Sequence, residues 1–110
     1  RLAANQLETA LQAYRQAISL DPASAEAHGR AARVLARLDR AVEAKQSLET
    51  ALLLDPLHVE ANVETARLQA ATENWPAARR LLEHAVAADP ANRAALYQLL
   101  LACRAQQDSA

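Results

Sequence analysis

The sequence predicts an all-α fold, a stack of antiparallel helix pairs that repeats every 34 residues. Three observations predict it. Of the 110 residues, 52 % are apolar but only 3 % aromatic, with no Phe and no Met, so the apolar mass is chiefly Ala and Leu. Both are strong helix formers. One Gly and four Pro leave little chemistry for tight β-hairpin turns. Finally, Asp-Pro recurs at Asp21-Pro22, Asp55-Pro56 and Asp89-Pro90, a step of 34 each time.

Further columns keep the same step. Ala10, Ala44 and Ala78 align, as do Ala17, Ala51 and Ala85. Tyr14, Leu48 and Leu82 form a large apolar column, and Ile18, Leu52 and Val86 another. In the other half of the unit, Glu26 aligns with Glu60, Ala27 with Ala61 and Ala95, Ala32 with Ala66, and Arg33 with Arg67.

Each unit holds two helices. Proline excludes the residue before it from the α region, so a helix closes at each Asp-Pro. Two residues later comes Ser24, His58 or Asn92. Ser and Asn are strong N-caps, His a poor one. The pattern places helices at 7–20, 25–38, 41–54, 59–72, 75–88 and 93–106, with residues 1–5 as the tail of an earlier helix. Asn74 before Trp75-Pro76 suits a capped start with proline in the first turn. Trp75 shares a column with Leu7 and Ala41, which suits helix packing or an exposed outer-face anchor. Ala44 and Ala51 lie two turns apart on one face, and Ala32 sits on the preceding helix. Small residues on both surfaces allow that pair to pack closely.

Net charge is −1, with 12 basic and 13 acidic residues. That balance gives no concentrated basic face for nucleic acid. No apolar run reaches the roughly 18 residues of a membrane span, and no secretory leader is visible. Compartment is therefore open. The chain begins with Arg, lacks Met, and carries eleven Arg to one Lys with abundant Ala. It reads as a piece of a longer protein, with a composition suited to a GC-rich bacterial genome.

No catalytic constellation, metal site or cofactor is expected. His28, His58 and His84 lack ligand spacing and have no cysteine pair beside them. Cys103 has no designated base or orienting group and reads as a small hydrophobe. Gly29 is the only glycine, so there is no glycine-rich loop. Glu60 and Glu64 form a carboxylate pair on one helix face, which without a pocket is a solvated surface.

The 34-residue helix–turn–helix period, with small–large–small columns and a closing proline, resembles the tetratricopeptide repeat. The second-helix signature occurs as Ala10-Tyr14-Ala17-Pro22, Ala44-Leu48-Ala51-Pro56 and Ala78-Leu82-Ala85-Pro90. The first-helix signature is weaker: the family's Trp, Leu, Gly and Tyr fall on His28, Ala31, Ala32 and Leu35, then on Asn62, Thr65, Ala66 and Gln69. The resemblance implies a right-handed α-solenoid (a superhelix) and one domain over 1–110: a partial repeat to residue 24, repeats at 25–58 and 59–92, and the first helix of a further or capping repeat at 93–110.

It also implies that the first helices line a concave groove that binds a peptide or helix of a partner protein. By position, the groove receives Arg30, Arg33 and Arg37, then Glu64 and Arg67, then Tyr97, Leu101 and Arg104. The arginines suit carboxylates or an acidic peptide, because a guanidinium fork binds two oxygens at once. The same charges also make ordinary helix-surface pairs, Glu26 with Arg30 and Glu64 with Arg67. Family members that clamp a chaperone's terminal carboxylate use Lys, Arg and Asn. Here Arg30 stands where Asn is expected, and Glu60 and Glu64 where Lys and Arg are expected. Two acids repel a carboxylate, so that particular function is not expected.

Leu99, Leu100 and Leu101 make the last helix apolar almost all round, where a terminal repeat would be polar. At the other end, the helix at 7–20 is expected to bare Leu7, Leu11, Tyr14 or Ile18. Self-association through the end helices is thus an alternative to partner binding. A third reading is an accessory repeat region of a larger, multi-domain protein.

Overall fold

A computed structural model describes residues 3–109, with six helices and no strand among them. They are α1 (Ala4–Leu20), α2 (Ala25–Arg37), α3 (Ala41–Leu54), α4 (Val59–Ala71), α5 (Trp75–Ala88) and α6 (Arg93–Ser109).

Two kinds of helix end alternate. Helices α1, α3 and α5 stop at Asp21, Asp55 and Asp89, whose φ values of −142°, −147° and −144° are extended, as a following proline demands. Helices α2 and α4 end in a left-handed residue instead: Asp39 at φ 61° and Glu73 at φ 59°. Around Asp39, the Arg40 amide donates to the Leu35 carbonyl at 2.9 Å and the Asp39 amide to Ala36 at 3.2 Å. Around Glu73, Asn74 donates to Gln69 and Glu73 to Ala70, both at 2.9 Å. This is a Schellman closure, which satisfies carbonyls the helix end leaves orphaned.

The starts need correction at two caps. Ser24 Oγ accepts from the Ala27 amide at 3.1 Å and Asn92 Oδ1 from Ala95 at 2.9 Å, as caps do. His58, expected to cap poorly, does the same: its Nδ1 accepts from the Ala61 amide at 3.2 Å. A neutral imidazole with its ring proton on Nε2 has a lone pair there. Asn74, expected to cap α5, makes no side-chain cap bond and donates to Gln69 Oε1 at 3.2 Å. Pro76 does sit in the first turn of α5.

The chain divides into two compact units, Arg1–Pro56 and Leu57–Ala110. In the first, α2 packs against both α1 and α3. Leu7, Leu11, Ala27, Ala31, Ala32, Val34, Leu35, Ala44, Leu48 and Ala51 are buried there. In the second, α5 packs against α4 and α6, and α4 also touches α6. Its core joins Val63, Ala66, Ala78, Leu82, Ala85, Ala95 and Ala102, with Trp75, Leu81, Val86 and Leu99 half-buried against it. Ala32, Ala44, Ala51, Ala78 and Ala85 are all 0 % exposed. Where two helix faces both offer alanine, the backbones approach closely, and one large residue per face (Leu48 or Leu82) fills the remaining space.

The ends of the chain depart from expectation. Helix α1 begins at Ala4, so Ala4 and Asn5 belong to it and not to an earlier helix; residues 1 and 2 lie outside the described residues. Leu7 and Leu11 are buried, not bared, because α2 lies against that side. The side of α1 left open carries Ala10, which is half-buried, and Ala13 and Ala17, which are exposed. At the other end, α6 runs to Ser109 rather than 106: Gln107, in the column of Asp39 and Glu73, stays helical. Leu100 and Leu101 are exposed, and Cys103 is half-buried.

Candidate partner-binding surface

The first-type helices, α2, α4 and α6, carry the residues assigned to binding. In α2, Arg30, Arg33 and Arg37 all lie on the exposed face. Their spacing of three, four and seven is what puts side chains on one helix face. Opposite them, Ala31, Ala32 and Leu35 are buried. Packing thus fixes the rotation of α2, and the rotation presents the arginines. Arg30 pairs with Glu26 one turn earlier at 2.9 Å, with both side chains about half exposed. Such a pair contributes only about 0.3–0.5 kcal/mol, so it orients Arg30 without neutralising the whole face.

In α4, Arg67 Nη1 meets Glu64 Oε1 at 2.9 Å. The pair is lopsided: the Glu64 side chain is 9 % exposed, that of Arg67 40 %. Glu64 is therefore mostly withdrawn from solvent, while the guanidinium reaches outward. In α6, Tyr97 and Leu101 are exposed, at 60 % and 38 %, and Arg104 is exposed one turn beyond. Helices α4 and α6 touch in the second unit, so Arg67 and the Tyr97–Leu101–Arg104 face stand on neighbouring helices.

Sequence reasoning missed two buried polar residues on α4. Asn62 is 2 % exposed, and its Nδ2 donates to the His58 carbonyl at 2.9 Å. Glu64 is 7 % exposed. A signal existed for Asn62, since its column holds His28 and Leu96, one of which is half-buried; for Glu64 the i,i+3 arginine was the only hint. A cavity of about 290 Å³ in the first unit was also unforeseen. Leu11, Ile18 and Leu35 line its apolar part, while Arg15 and Glu43, 3.5 Å apart, and Ser47 stand at the polar part. Ser47 occupies the column of Leu81, so a small side chain stands where the next repeat has a large one.

The histidines have ordinary structural tasks. His28 Nε2 lies 3.0 Å from the Pro22 carbonyl, His58 caps α4, and His84 is exposed. Among the described residues, no group of three or more His, Cys, Asp or Glu is placed to hold a metal ion. No described helix is long and apolar enough to cross a membrane.

Two helix types that alternate in how they end, with alanines buried where they pack on one another, define a helical-repeat protein. The tetratricopeptide repeat family model matches residues 1–56 and 38–103, and the chain belongs to that family, whose members are protein-interaction scaffolds. Solved structures agree in fold. The Sgt2 TPR domain from Aspergillus fumigatus is similar with a TM-score of 0.85 at 19 % identity, over 96 % of this chain and 71 % of that one. The TPR2B domain of yeast Sti1, in a complex with pHsp70, gives 0.79 at 26 % identity, over 94 % and 86 %. The second TPR domain of human RPAP3, in complex with the HSP70 peptide SGPTIEEVD, gives 0.74 at 21 %, over 89 % and 82 %. The fold is thus an all-α helical-repeat solenoid. No curated protein gives a significant match.

Proposed function

We propose that this chain grips a peptide or helix of a partner protein on the exposed faces of its first-type helices, and that the partner segment is acidic. The observation that carries this reading is the arginine face of α2, with Arg30, Arg33 and Arg37 exposed over a fully packed opposite side. The second unit carries exposed side chains of the same chemistry, Arg67 on α4 and Arg104 on α6, and Tyr97 and Leu101 supply apolar contact there. Glu64, held by Arg67, sets the direction of that guanidinium. Two of the similar structures hold chaperone segments, one of them the peptide SGPTIEEVD with three acids in nine residues. Here the ligand need not be a chain terminus, because Arg30, Glu60 and Glu64 replace the residues that clamp a terminal carboxylate. The work of the chain is binding, with catalysis assigned to none of its residues.

The test is capture of a partner from lysate by immobilised protein, comparing the native chain with Arg33→Glu, Arg67→Glu and the double variant. Each single reversal is expected to weaken capture about tenfold, equivalent to roughly 1.4 kcal/mol, and raised salt to weaken native capture, because exposed charges are screened. Capture unaffected by either reversal moves the site away from these helices.

A further inference from the structure

Among the described residues, helices α6 and α1 leave complementary faces open. Helix α6 bears the first-helix type of surface. In α2 and α4 the matching column is covered: Ala32 is buried in α2 and Ala66 in α4. In α6 that column holds Leu100, 54 % exposed, with Leu96 exposed beside it. Helix α6 stays helical to Ser109, past the columns where α2 and α4 turn back, so no described residue folds across this face. Helix α1 bears the second-helix type of surface. Ala44 and Ala51 in α3, and Ala78 and Ala85 in α5, are 0 % exposed, whereas Ala10 is half-buried and Ala17 exposed. The two charged side chains of α1 point elsewhere: Glu8 to Arg40 at 2.8 Å and Arg15 to Glu43 at 3.5 Å. Its open face is therefore uncharged.

We infer that a second copy of this chain covers these faces, with α6 of one copy packing on α1 of the next. The occupant is named by contacts the chain already makes twice. Helix α2 packs on α3, and α4 on α5, each pair joining a first-type to a second-type helix in the 34-residue register. Helix α6 against α1 of another copy is the same pairing made between molecules. Leu100 stands where Ala32 and Ala66 stand, and it meets Ala10, Ala13 and Ala17, with Tyr14 beside them in the column of Leu48 and Leu82. The contact joins two different faces, so it is heterologous. Copies therefore add head to tail, as a ring if the contacts close and as an open chain if they do not.

Sedimentation equilibrium of the whole 110-residue chain, from about 1 μM to about 1 mM, spans weak to moderate association. The mass is expected to rise with concentration above the 11.9 kDa of one chain. Leu100→Arg closes the α6 face and Ala17→Arg the α1 face. Both positions are exposed, so circular dichroism and the urea midpoint are expected to match the native chain. Each variant alone is expected to stay monomeric. Mixed in equal amounts they are expected to form dimers and nothing larger, since each keeps the face the other lost. A native chain that stays at 11.9 kDa, or a mixture of the two variants that stays monomeric, overturns the inference. Arg33→Glu, which tests peptide capture, leaves assembly unchanged, so the two ideas fail separately.

Discussion

Ala17 and Ala51 occupy the same column of the repeat, one unit apart, yet Ala51 is 0 % exposed and Ala17 is open to solvent. The local sequence is nearly the same: Ala10-Tyr14-Ala17 in α1, Ala44-Leu48-Ala51 in α3. What differs is the neighbour. Helix α3 lies on α2 with its alanine face; α1 lies on α2 with Leu7 and Leu11. A repeat column therefore records which face a helix offers, and burial is decided by whether another helix takes the offer. The two helices form a control and a test within one chain.

The largest expected effect is at the large member of the column. Leu48→Ala removes a side chain 2 % exposed and is expected to cost about 2–5 kcal/mol, transfer and cavity together. Tyr14→Ala acts on a half-buried residue and is expected to cost about 1 kcal/mol, the ordinary value for a point change. Urea midpoints of the two variants measure the gap. Equal losses would mean that α1 buries its repeat face as α3 does.

The small members reverse the logic, because there the danger is excess volume. Ala44→Leu pushes apart two backbones that meet at 0 % exposure and is expected to cost about 1–3 kcal/mol. Ala17→Leu adds its bulk into solvent and is expected to stay within about 0.5 kcal/mol of the native chain at concentrations too low for association. Thermal melts of both at the same dilution check it. A native-like melt for Ala44→Leu would remove that alanine from the helix contact.

Caps offer a comparison between the units. Ser24→Ala and Asn92→Ala each delete a side-chain acceptor from an amide in the first turn, with an expected loss of about 0.5–2 kcal/mol. His58→Ala is expected to cost a comparable amount, since Nδ1 accepts from Ala61. Urea denaturation of the three variants decides between a working cap and a coincidental distance: a His58→Ala midpoint equal to the native one would mean the latter.

How much of this was legible in the sequence follows from the same physics. The Asp-Pro steps fixed the ends of α1, α3 and α5 to the residue, because proline acts on its own neighbour. The ends of α2 and α4 were read one residue long, since a left-handed Asp39 or Glu73 has no sequence mark as plain as glycine. Residue type told which α2 positions carry charge, and the buried alanines fixed their exposure. It did not tell that Glu64 would be withdrawn and Arg67 exposed, because both are charged and their burial depends on what packs over α4. Which side of α1 would be covered was misread for a like reason: Leu7 and Leu11 are as apolar as any repeat column, and the first helix pairs with whichever face gains most.

The smallest effect is the most discriminating, because it changes sign along one column. Asp39, Glu73 and Gln107 are 34 residues apart in succession. The first two sit at φ 61° and 59°, where a Cβ crowds the following carbonyl; Gln107 is helical. Glycine relieves that crowding but gains freedom in the unfolded chain. For Glu73→Gly the two effects are expected to leave a net stabilisation of up to about 1 kcal/mol. In a helix, glycine has only the cost. Gln107→Gly is therefore expected to destabilise, by up to about 1 kcal/mol and less as the helix end frays. Amide exchange at residues 108 and 109 would register the second change directly, since those amides reach the carbonyls of 104 and 105 across Gln107. Opposite signs at equivalent positions would establish that α6 continues as a helix through the column where α2 and α4 turn back.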